Sequence, residues 1–233
     1  MKAPESFLTA LKSEELELSA RQLQLLELYM EKLLETNRQF NLTAVRDQSQ
    51  AWSKHALESV VFSRSVEGGR VADLGSGGGL PGIPLAIIKP ELSISLVESV
   101  GKKARFLEEI AKAFELDGIS VFSSRAEELG RRGGHRGNYD TVVARALGSL
   151  AELVELSLPL LKVGGRLLAI KGQAYQQEID AASNALKLVG GRIGDVRPLL
   201  KNGSDSVVIA VVKTDPTPEK YPRRAGMPKK RPL

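Results

Sequence analysis

A glycine-rich segment in the first third of the chain has the composition of a loop that binds a ligand through its backbone. Asp73 is followed at alternating positions by Gly75, Gly77 and Gly79, and Pro81 comes two residues later. Because glycine has no Cβ, the chain can turn tightly there and a ligand can approach the backbone closely. Pro81 suits the first turn of a helix, and the free N–H groups at such a start attract anionic or carbonyl groups. The pattern predicts a ligand-binding turn between a strand and a helix.

An acidic residue, Glu98, ends the second predicted strand, 23 residues after Gly75. By itself, a glutamate at a strand end is an ordinary surface residue. In a sheet that binds nucleotides, however, a carboxylate at this place can accept hydrogen bonds from both hydroxyls of an adenosine ribose. Taken together with the glycine-rich segment, Glu98 predicts a ligand that contains adenosine.

Further polar residues follow the later predicted strands. Arg125, Ala126 and Glu127 come after the third strand, Arg145 ends the fourth, and Lys171 follows the fifth. Because the carboxyl ends of parallel strands share one edge of a sheet, these residues are expected near the glycine-rich segment. Arg145 directly follows an apolar run, and a buried arginine needs an anionic or aromatic partner. We therefore expect Arg145 to belong to the site.

From residue 70 onward, short apolar runs alternate with helical stretches, which is typical of a parallel sheet with helical crossovers. Two further extended stretches, 193–200 and 206–212, are joined by residues 201–205, in which Asn202-Gly203 favours a hairpin. The sequence thus predicts an α/β fold with a Rossmann-like, seven-stranded sheet that closes with an antiparallel strand. The first five predicted strands are 70–74, 94–98, 119–123, 141–145 and 166–170, and the predicted helices between and after them are 81–89, 102–116, 150–161 and 175–189.

Two segments flank this predicted sheet domain, which would span residues 69–213. Residues 1–68 carry apolar side chains at helical spacing, with Ser19 as an N-cap and a second helix over 50–64. Residues 214–233 contain six basic and two acidic residues, a net charge of +4, together with five prolines. This composition predicts an extended tail that is poorly ordered or becomes ordered only on contact. It would serve either to keep the protein soluble or to bind nucleic acid phosphates.

The composition of the 233 residues limits the class of protein. An apolar fraction of 42% and a charged fraction of 26% are those of a folded globular chain. No cysteine is present, which excludes thiolate nucleophiles and zinc–thiolate sites, and no metal site is predicted. The first residues include several glutamates and no apolar signal segment, and no stretch is long enough to span a membrane. The chain is therefore expected to be cytoplasmic, with a monomer as the default state.

The motifs resemble those of a class I S-adenosylmethionine-dependent methyltransferase and, more specifically, of the bacterial RsmG family, also called GidB. The most specific block is Gly75-Ser76-Gly77-Gly78-Gly79-Leu80-Pro81-Gly82-Ile83-Pro84-Leu85. One departure is Glu58, at a position where the family often has aspartate in a His-x-x-Asp-Ser block. The supporting blocks, in order along the chain, are residues 40–47, 101–107, 125–128 and 171–173.

This resemblance implies methylation of N7 of one guanine in the 16S ribosomal RNA of the small subunit. It also implies that S-adenosylmethionine is the cofactor. The resemblance and the glycine-rich segment together give a set of expected cofactor contacts. They are Asp73, Gly75, Gly77, Gly79, Leu80, Glu98, Ala126, Glu127 and Arg145.

The proposed acceptor atom sets modest chemical demands. Guanine N7 carries an in-plane lone pair and no proton, so its methylation needs no general base. Arg145 and Lys171 are the expected catalytic side chains. A chain without cysteine cannot follow the covalent route to 5-methylcytosine, because that route requires a thiolate.

Positive residues around the site would meet RNA phosphates, and a base would stack on an aromatic ring or a guanidinium plane. Phe40, Trp52 and Arg145 are the candidates for stacking, although core packing is the more common fate of large aromatic residues. His135, among arginines and glycines, is expected to be a solvated loop residue. The expected RNA contacts are Asn41, His55, Lys102, Arg125 and Lys171.

Other readings of the same residues remain open at this point. An NAD-dependent oxidoreductase would use the same loop and ribose acid, but the predicted terminal hairpin and the lack of a following substrate domain disfavour it. A non-catalytic RNA-binding module would not need Asp73, Glu98 and Arg145 together. A methyltransferase acting on another RNA or on a small molecule would share every cofactor feature.

Overall fold

A seven-stranded sheet with helices on both faces forms the centre of the protein. The computed structural model describes every residue except Asn202 and Ser204, so the predicted turn over 201–205 lies partly outside the described residues. The strands are β1 (Arg70–Leu74), β2 (Ser93–Val97), β3 (Ile119–Phe122), β4 (Tyr139–Arg145), β5 (Leu161–Lys171), β6 (Gly191–Pro198) and β7 (Val207–Lys213). The α-helices are α1 (Glu5–Ser13), α2 (Ala20–Asn37), α3 (Gln48–Gln50), α4 (Glu58–Phe62), α5 (Gly82–Ile88), α6 (Gly101–Ala113), α7 (Ala126–Leu129), α8 (Leu150–Ser157), α9 (Tyr175–Ala181), α10 (Ser183–Val189) and α11 (Met227–Lys230).

The strand order is β3-β2-β1-β4-β5-β7-β6. The first five strands are parallel, and β7 pairs antiparallel with both β5 and β6. The predicted fold class is therefore confirmed, including the closing hairpin. Strands β2 and β3 lie on one side of β1, and β4 and β5 lie on the other, so the strand order switches between β1 and β4. In such folds this switch leaves a crevice at the carboxyl ends of the two strands, where ligands bind.

The element boundaries differ slightly from the predictions. Strand β2 ends at Val97, so Glu98 follows the strand instead of ending it. The predicted helix 175–189 is divided at Ala182 into α9 and α10. The predicted helix 50–64 is a composite of a π-helix (Ala51–Leu57), α4 and a 3₁₀ turn (Ser63–Ser65).

The N-terminal helices pack on the sheet and share its core. Ser19 caps α2 as predicted, since its side chain accepts from the N–H of Gln22 while the Gln22 side chain accepts from the N–H of Ser19. Trp52 in the π-helix is buried against Phe7, with ring centroids 4.7 Å apart. Burial of the indole ring excludes Trp52 as a stacking platform for RNA. The apolar core on this face includes residues of α1, α2, α4, α5 and α6.

The expectation of an extended tail over residues 214–233 is wrong. Tyr221 is buried in the second apolar core, and Arg223 makes a bidentate ion pair with Glu155 of α8, which is fully buried. Pro228 is also buried within the short helix α11. The cluster of positive charges suggested that the whole segment is solvated. Arg223, however, has the buried carboxylate of Glu155 as its partner. The segment therefore folds onto the outer face of α8.

The expectation that His135 is solvated is also wrong. Its Nδ1 lies 2.7 Å from the hydroxyl of Tyr139, whose hydroxyl in turn donates to Ser95 Oγ over 3.0 Å. The imidazole also meets the ring of Phe122 edge-on, with centroids 4.8 Å apart. The tyrosine hydroxyl needs a buried partner, and His135 supplies it from the loop before β4.

Candidate functional site

The glycine-rich loop joins β1 to α5 at the carboxyl edge of the sheet. Gly75 and Gly77 have φ of +68° and +58°, in the left-handed region that favours glycine. The N–H of Gly75 donates to the carbonyl of Val97 over 2.9 Å, and the N–H of Gly77 donates to Glu98 Oε2 over 2.9 Å. A Cβ on Gly75 would lie 2.9 Å from Leu147, in the loop that follows β4. The turn thus has no room for a side chain at Gly75. Beside Gly77, where the nearest atom to a Cβ is 3.6 Å away, it leaves an open backbone cradle.

The carboxylate of Glu98 lies beside the glycine-rich loop. The residue is 6% exposed, and its Oε1 accepts from the N–H of Val100 over 2.7 Å while its Oε2 accepts from Gly77. Each carboxylate oxygen has more than one lone pair, so both can accept a further hydrogen bond. The two backbone donors therefore hold Glu98 in place and leave it able to accept bonds from a pair of hydroxyls.

Asp73 is a fully buried carboxylate behind this loop. Its Oδ2 accepts from the N–H of Gly82 over 3.0 Å, and its Oδ1 has no hydrogen-bond partner within the described part of the chain. Burial raises the pKa of Asp73 to about 7. A buried acceptor without a partner costs free energy, which a donor from a bound ligand would recover. The glycine cradle, Glu98 and this unsatisfied oxygen together fit an adenosine-containing cofactor.

Helix α2 supports the loop from behind. The hydroxyl of Tyr29 donates to the carbonyl of Gly78 over 2.8 Å, and a Cβ on Gly78 would lie 2.6 Å from the Leu33 side chain. The sequence indicated only that Tyr29 or Met30 lies on the apolar face of a helix. The tyrosine hydroxyl is the feature of the sequence that points to a contact of this kind, because a buried tyrosine needs a hydrogen-bond partner. The N-terminal helices thus help to shape the candidate site.

Arg145 ends β4 and connects it to the N-terminal helices. Its Nη2 donates to Glu58 Oε2 over 2.8 Å and also to the carbonyl of Lys54 in the π-helix. The Nη1 of Arg145 is buried and has no partner within the described residues. The predicted anionic partner is therefore Glu58, the position at which this chain departs from the aspartate of the family block. A glutamate side chain reaches the guanidinium there.

Lys171 at the end of β5 is occupied by protein partners. Its Nζ donates to the carbonyl of Gly148 over 2.6 Å and to Glu178 Oε2 over 2.7 Å. Glu178 also accepts from the N–H of Leu150 over 2.8 Å. The ammonium is buried, so the structure places Lys171 beneath the loop between β4 and α8 instead of on the surface. Its expected contact with RNA remains a prediction.

The short helix α7 follows β3 along the same edge of the sheet. Glu127 is 8% exposed, and its Oε1 accepts from the N–H of Gly226 in the C-terminal segment over 2.7 Å. Its Oε2 has no hydrogen bond within the described residues. Glu152 of α8 is near both Glu127 and the loop between β4 and α8, since a Cβ on Gly148 in that loop would lie against its carboxylate. Glu127 is therefore separated from the loop between β4 and α8 by no more than the Glu152 side chain.

The remaining expected RNA contacts lie on the surface beside the site. Asn41, Lys102 and Arg125 are exposed. The Nζ of Lys102 lies 5.0 Å from the ring centroid of Phe40, which is half-buried at the rim of a groove of about 480 Å³ between α2 and α6. His55 is buried instead, with its Nε2 2.7 Å from Thr43 Oγ1. His55 is therefore not on the surface with the three exposed residues, although it bonds to the segment that carries Asn41.

Because His55 is buried, stability is expected to depend on pH through this side chain. Burial, together with the charge of Arg145, lowers its pKa to about 4. Below about pH 6.5 the unfolded chain gains a proton that the folded protein does not bind, so stability is lost as pH falls from about 6.5 to 4. We expect the free energy of unfolding to fall by about 2 kcal/mol between about pH 7.5 and 5 through this residue alone.

Urea unfolding of wild type and of His55→Gln at both pH values measures this contribution. Glutamine does not titrate, so the lower pH should destabilise the wild type, but not the variant, through this position. The unfolding free energy of the wild type relative to the variant should therefore be about 2 kcal/mol lower at the lower pH. A difference between the two proteins that does not vary with pH would contradict the assignment of a neutral, buried His55.

Solved structures with the same fold include methyltransferases. A proposed S-adenosyl-L-methionine-dependent methyltransferase from Methanococcus maripaludis matches with a TM-score of 0.54 and 17% identity, covering 72% of this chain and 90% of that chain. The P. horikoshii TYW2 protein, solved in complex with MeSAdo, matches with a TM-score of 0.53 and 15% identity over 68% of this chain and 63% of that chain. These similarities establish the fold. Within the described residues, no helix is long and apolar enough to cross a membrane.

Sequence comparisons identify the family. The family model described as rRNA small subunit methyltransferase G matches residues 22–203. A protein of that name, ribosomal RNA small subunit methyltransferase G, from Roseiflexus castenholzii is 42% identical over 94% of this chain and 94% of its own length. Another from Ligilactobacillus salivarius is 39% identical over 99% of both chains. The chain therefore belongs to the rRNA small subunit methyltransferase G family.

Proposed function

We propose that this chain transfers a methyl group from S-adenosylmethionine to N7 of one guanine in 16S ribosomal RNA, acting as a monomer in the cytoplasm. The observation that carries the proposal is the grouping of Asp73, Gly77 and Glu98 at the crevice between β1 and β4. This grouping occurs in a chain of the rRNA small subunit methyltransferase G family. Together they favour a nucleoside cofactor and an RNA acceptor.

The cofactor would lie along the glycine-rich loop, within the unit formed by residues 69–213. Glu98 would accept from the ribose hydroxyls, and Gly75 and Gly77 would allow the ligand to approach the backbone closely. Ala126 and Glu127 would border it from α7. When bound, S-adenosylmethionine supplies a methyl group carried on a positively charged sulfur.

The side chains of the protein would act mainly by positioning the acceptor. Guanine N7 already presents a lone pair, so no side chain has to remove a proton. Arg145 would orient the base, since its buried Nη1 has no partner within the described residues. Lys171 would fix the loop between β4 and α8 through the carbonyl of Gly148. Correct positioning of two reactants can lower a barrier by about 7–11 kcal/mol.

The exposed cations near the groove would bind RNA phosphates, and we expect Lys102→Gln to weaken RNA binding chiefly at low salt. Loss of one phosphate contact should reduce the slope of log affinity against log salt by about 0.7 to 0.9. Filter binding of 16S ribosomal RNA between about 50 and 200 mM salt measures that slope.

Lys162→Gln provides the matched control for this experiment. Lys162 is also an exposed lysine, but it lies at the opposite edge of the sheet, where it pairs with Asp140 over 2.8 Å. Its replacement should leave the salt slope unchanged. An identical slope for wild type and Lys102→Gln would remove Lys102 from the proposed RNA surface.

Methyl transfer from radiolabelled S-adenosylmethionine to 16S ribosomal RNA and to small ribosomal subunits tests the proposal directly. Mapping of the modified base should give a single N7-methylguanine. Label on another RNA or on a small molecule would retain the cofactor but replace the acceptor. Stabilisation of the protein by a nicotinamide cofactor, with no effect of S-adenosylmethionine on its melting, would instead favour an oxidoreductase.

A further inference from the structure

The C-terminal segment, residues 214–233, is anchored by contacts that a solubilising tail would not need. Arg223 donates through its N–H and its Nε to Glu155 Oε1, and through its Nη2 to Oε2 over 2.6 Å. Glu155 is 0% exposed, so this carboxylate has a single bidentate partner in place of water. Arg223 Nη2 also donates to the carbonyl of Arg231, which closes the segment on itself. The anchor therefore fixes both ends of the stretch between these arginines.

The same segment is fastened to the region around α7 from a second side. Arg131, two residues after the end of α7, donates to the carbonyl of Pro222 from both Nε and Nη2, over 3.0 and 2.6 Å. A Cβ on Gly130 would lie 3.1 Å from Pro222, so the two segments are in close contact there. Arg136 adds hydrogen bonds to the carbonyls of Thr217 and Tyr221. These bonds are made to backbone atoms and need an ordered tail.

The contact closest to the candidate site is made by Gly226. Its N–H donates to Glu127 Oε1 over 2.7 Å, and its φ of +77° places it in the left-handed region. A hydrogen bond to a charged carboxylate is stronger than one between neutral groups. Because one oxygen of Glu127 is held in this way, the direction of the second oxygen is set by the tail.

We propose that the C-terminal segment is a positioning element of the cofactor site. Gly226 holds the carboxylate of Glu127, and the pair of Arg223 with Glu155 holds Gly226. The inference rests on the proposed function, in which Glu127 borders the cofactor. The exposed side chains of Lys230 and Arg231 have no part in it, since the contacts to Glu127 and Arg223 are made by backbone atoms.

Two variants separate the contact from its anchor. Deletion of residues 225–233 removes the N–H that binds Glu127 and leaves Arg223 beside Glu155. The double replacement Arg223→Met with Glu155→Met removes the anchor without leaving a buried charge alone. As a control, Lys230→Gln with Arg231→Gln removes two charges and retains every backbone contact. Thermal unfolding of each variant shows that it is folded at the assay temperature.

The affinity for S-adenosylmethionine is measured by calorimetric titration. The Michaelis constants for S-adenosylmethionine and for RNA are measured in the methyl-transfer assay. We expect the deletion and the double methionine variant each to bind the cofactor about tenfold more weakly, the effect of one lost charge-assisted hydrogen bond. The Michaelis constant for the cofactor should rise in both variants, while the double methionine variant should keep the wild-type constant for RNA. The glutamine control should keep the wild-type cofactor affinity.

Unchanged cofactor affinity in the deletion variant would overturn the inference, whatever happens to RNA binding. A deletion that raises only the Michaelis constant for RNA would overturn it in favour of a nucleic acid arm. Failure of the full-length chain itself to bind S-adenosylmethionine is a separate outcome, which would overturn the proposed function and this inference with it.

Discussion

Replacement of Gly77 with valine is expected to weaken the binding of S-adenosylmethionine by more than about tenfold while the protein remains folded. Gly77 has a φ of +58°, a conformation that costs an L-residue roughly 1–2 kcal/mol and suits a β-branched side chain least. The expected relaxation of the backbone would break the bond from the Gly77 N–H to Glu98 and move this carboxylate, which we propose accepts from the ribose hydroxyls. The branched side chain would also occupy space beside the loop that the cofactor needs.

The environment of Gly77 makes this variant informative. A Cβ there would be 3.6 Å from the carbonyl of Leu42, an ordinary contact, so the change adds strain but no severe clash. Gly137→Val is the matched control, because Gly137 has a φ of +64°, lies in an exposed loop and has nothing within 4 Å of its Cβ. Both variants bear a similar backbone strain, yet only Gly77→Val should lose cofactor affinity. Equal affinities in a calorimetric titration would refute the assignment of the loop.

Replacement of Arg145 with methionine is expected to lower the free energy of unfolding by about 3 kcal/mol or more, because it leaves the Glu58 carboxylate buried without a cation. The side chains of Arg145 and Glu58 are only 15% and 10% exposed. Addition of Glu58→Gln to the Arg145→Met background should restore much of the loss, since the amide carries no charge to desolvate. Urea unfolding of the two single variants and the double variant completes the cycle.

Arg197→Met is the control for loss of a surface ion pair. Arg197 and Asp195 are about half exposed and pair over 3.2 Å. An exposed pair of this kind contributes at most about 1 kcal/mol, so this variant should remain close to wild type. A similarly small effect for Arg145→Met would show that the pair with Glu58 does not hold β4 to the N-terminal helices.

The predictions that held best concern local backbone requirements. The alternation of apolar runs with helical stretches gave the parallel sheet and its closing hairpin. Gly75, Gly77 and Gly79 have the left-handed conformations that suit a tight turn, and a tight turn is what their spacing after Asp73 indicated. Prediction was weaker for boundaries, as at Glu98 and Ala182, because tertiary contacts decide where a strand or a helix stops.

The partners of charged side chains were the least predictable part of the site. Arg145 was expected to have an anionic or aromatic partner, but nothing in the sequence identified Glu58, 87 residues away. Lys171 was expected to face RNA, and it lies buried against Gly148 and Glu178. The bidentate pair of Arg223 and Glu155 joins residues 68 positions apart and contradicts the expectation of an extended, poorly ordered tail.

The sequence by itself determined the fold class and the tight glycine-rich turn between β1 and α5 of this protein. Both follow from short-range rules: the period of apolar residues and the conformational freedom of glycine act within a few neighbouring residues. Only the tertiary structure decided which charges are buried in pairs and that the C-terminal segment meets Glu127. Those choices depend on long-range packing, because a charge leaves water only where the folded chain brings it an opposite charge or a backbone partner.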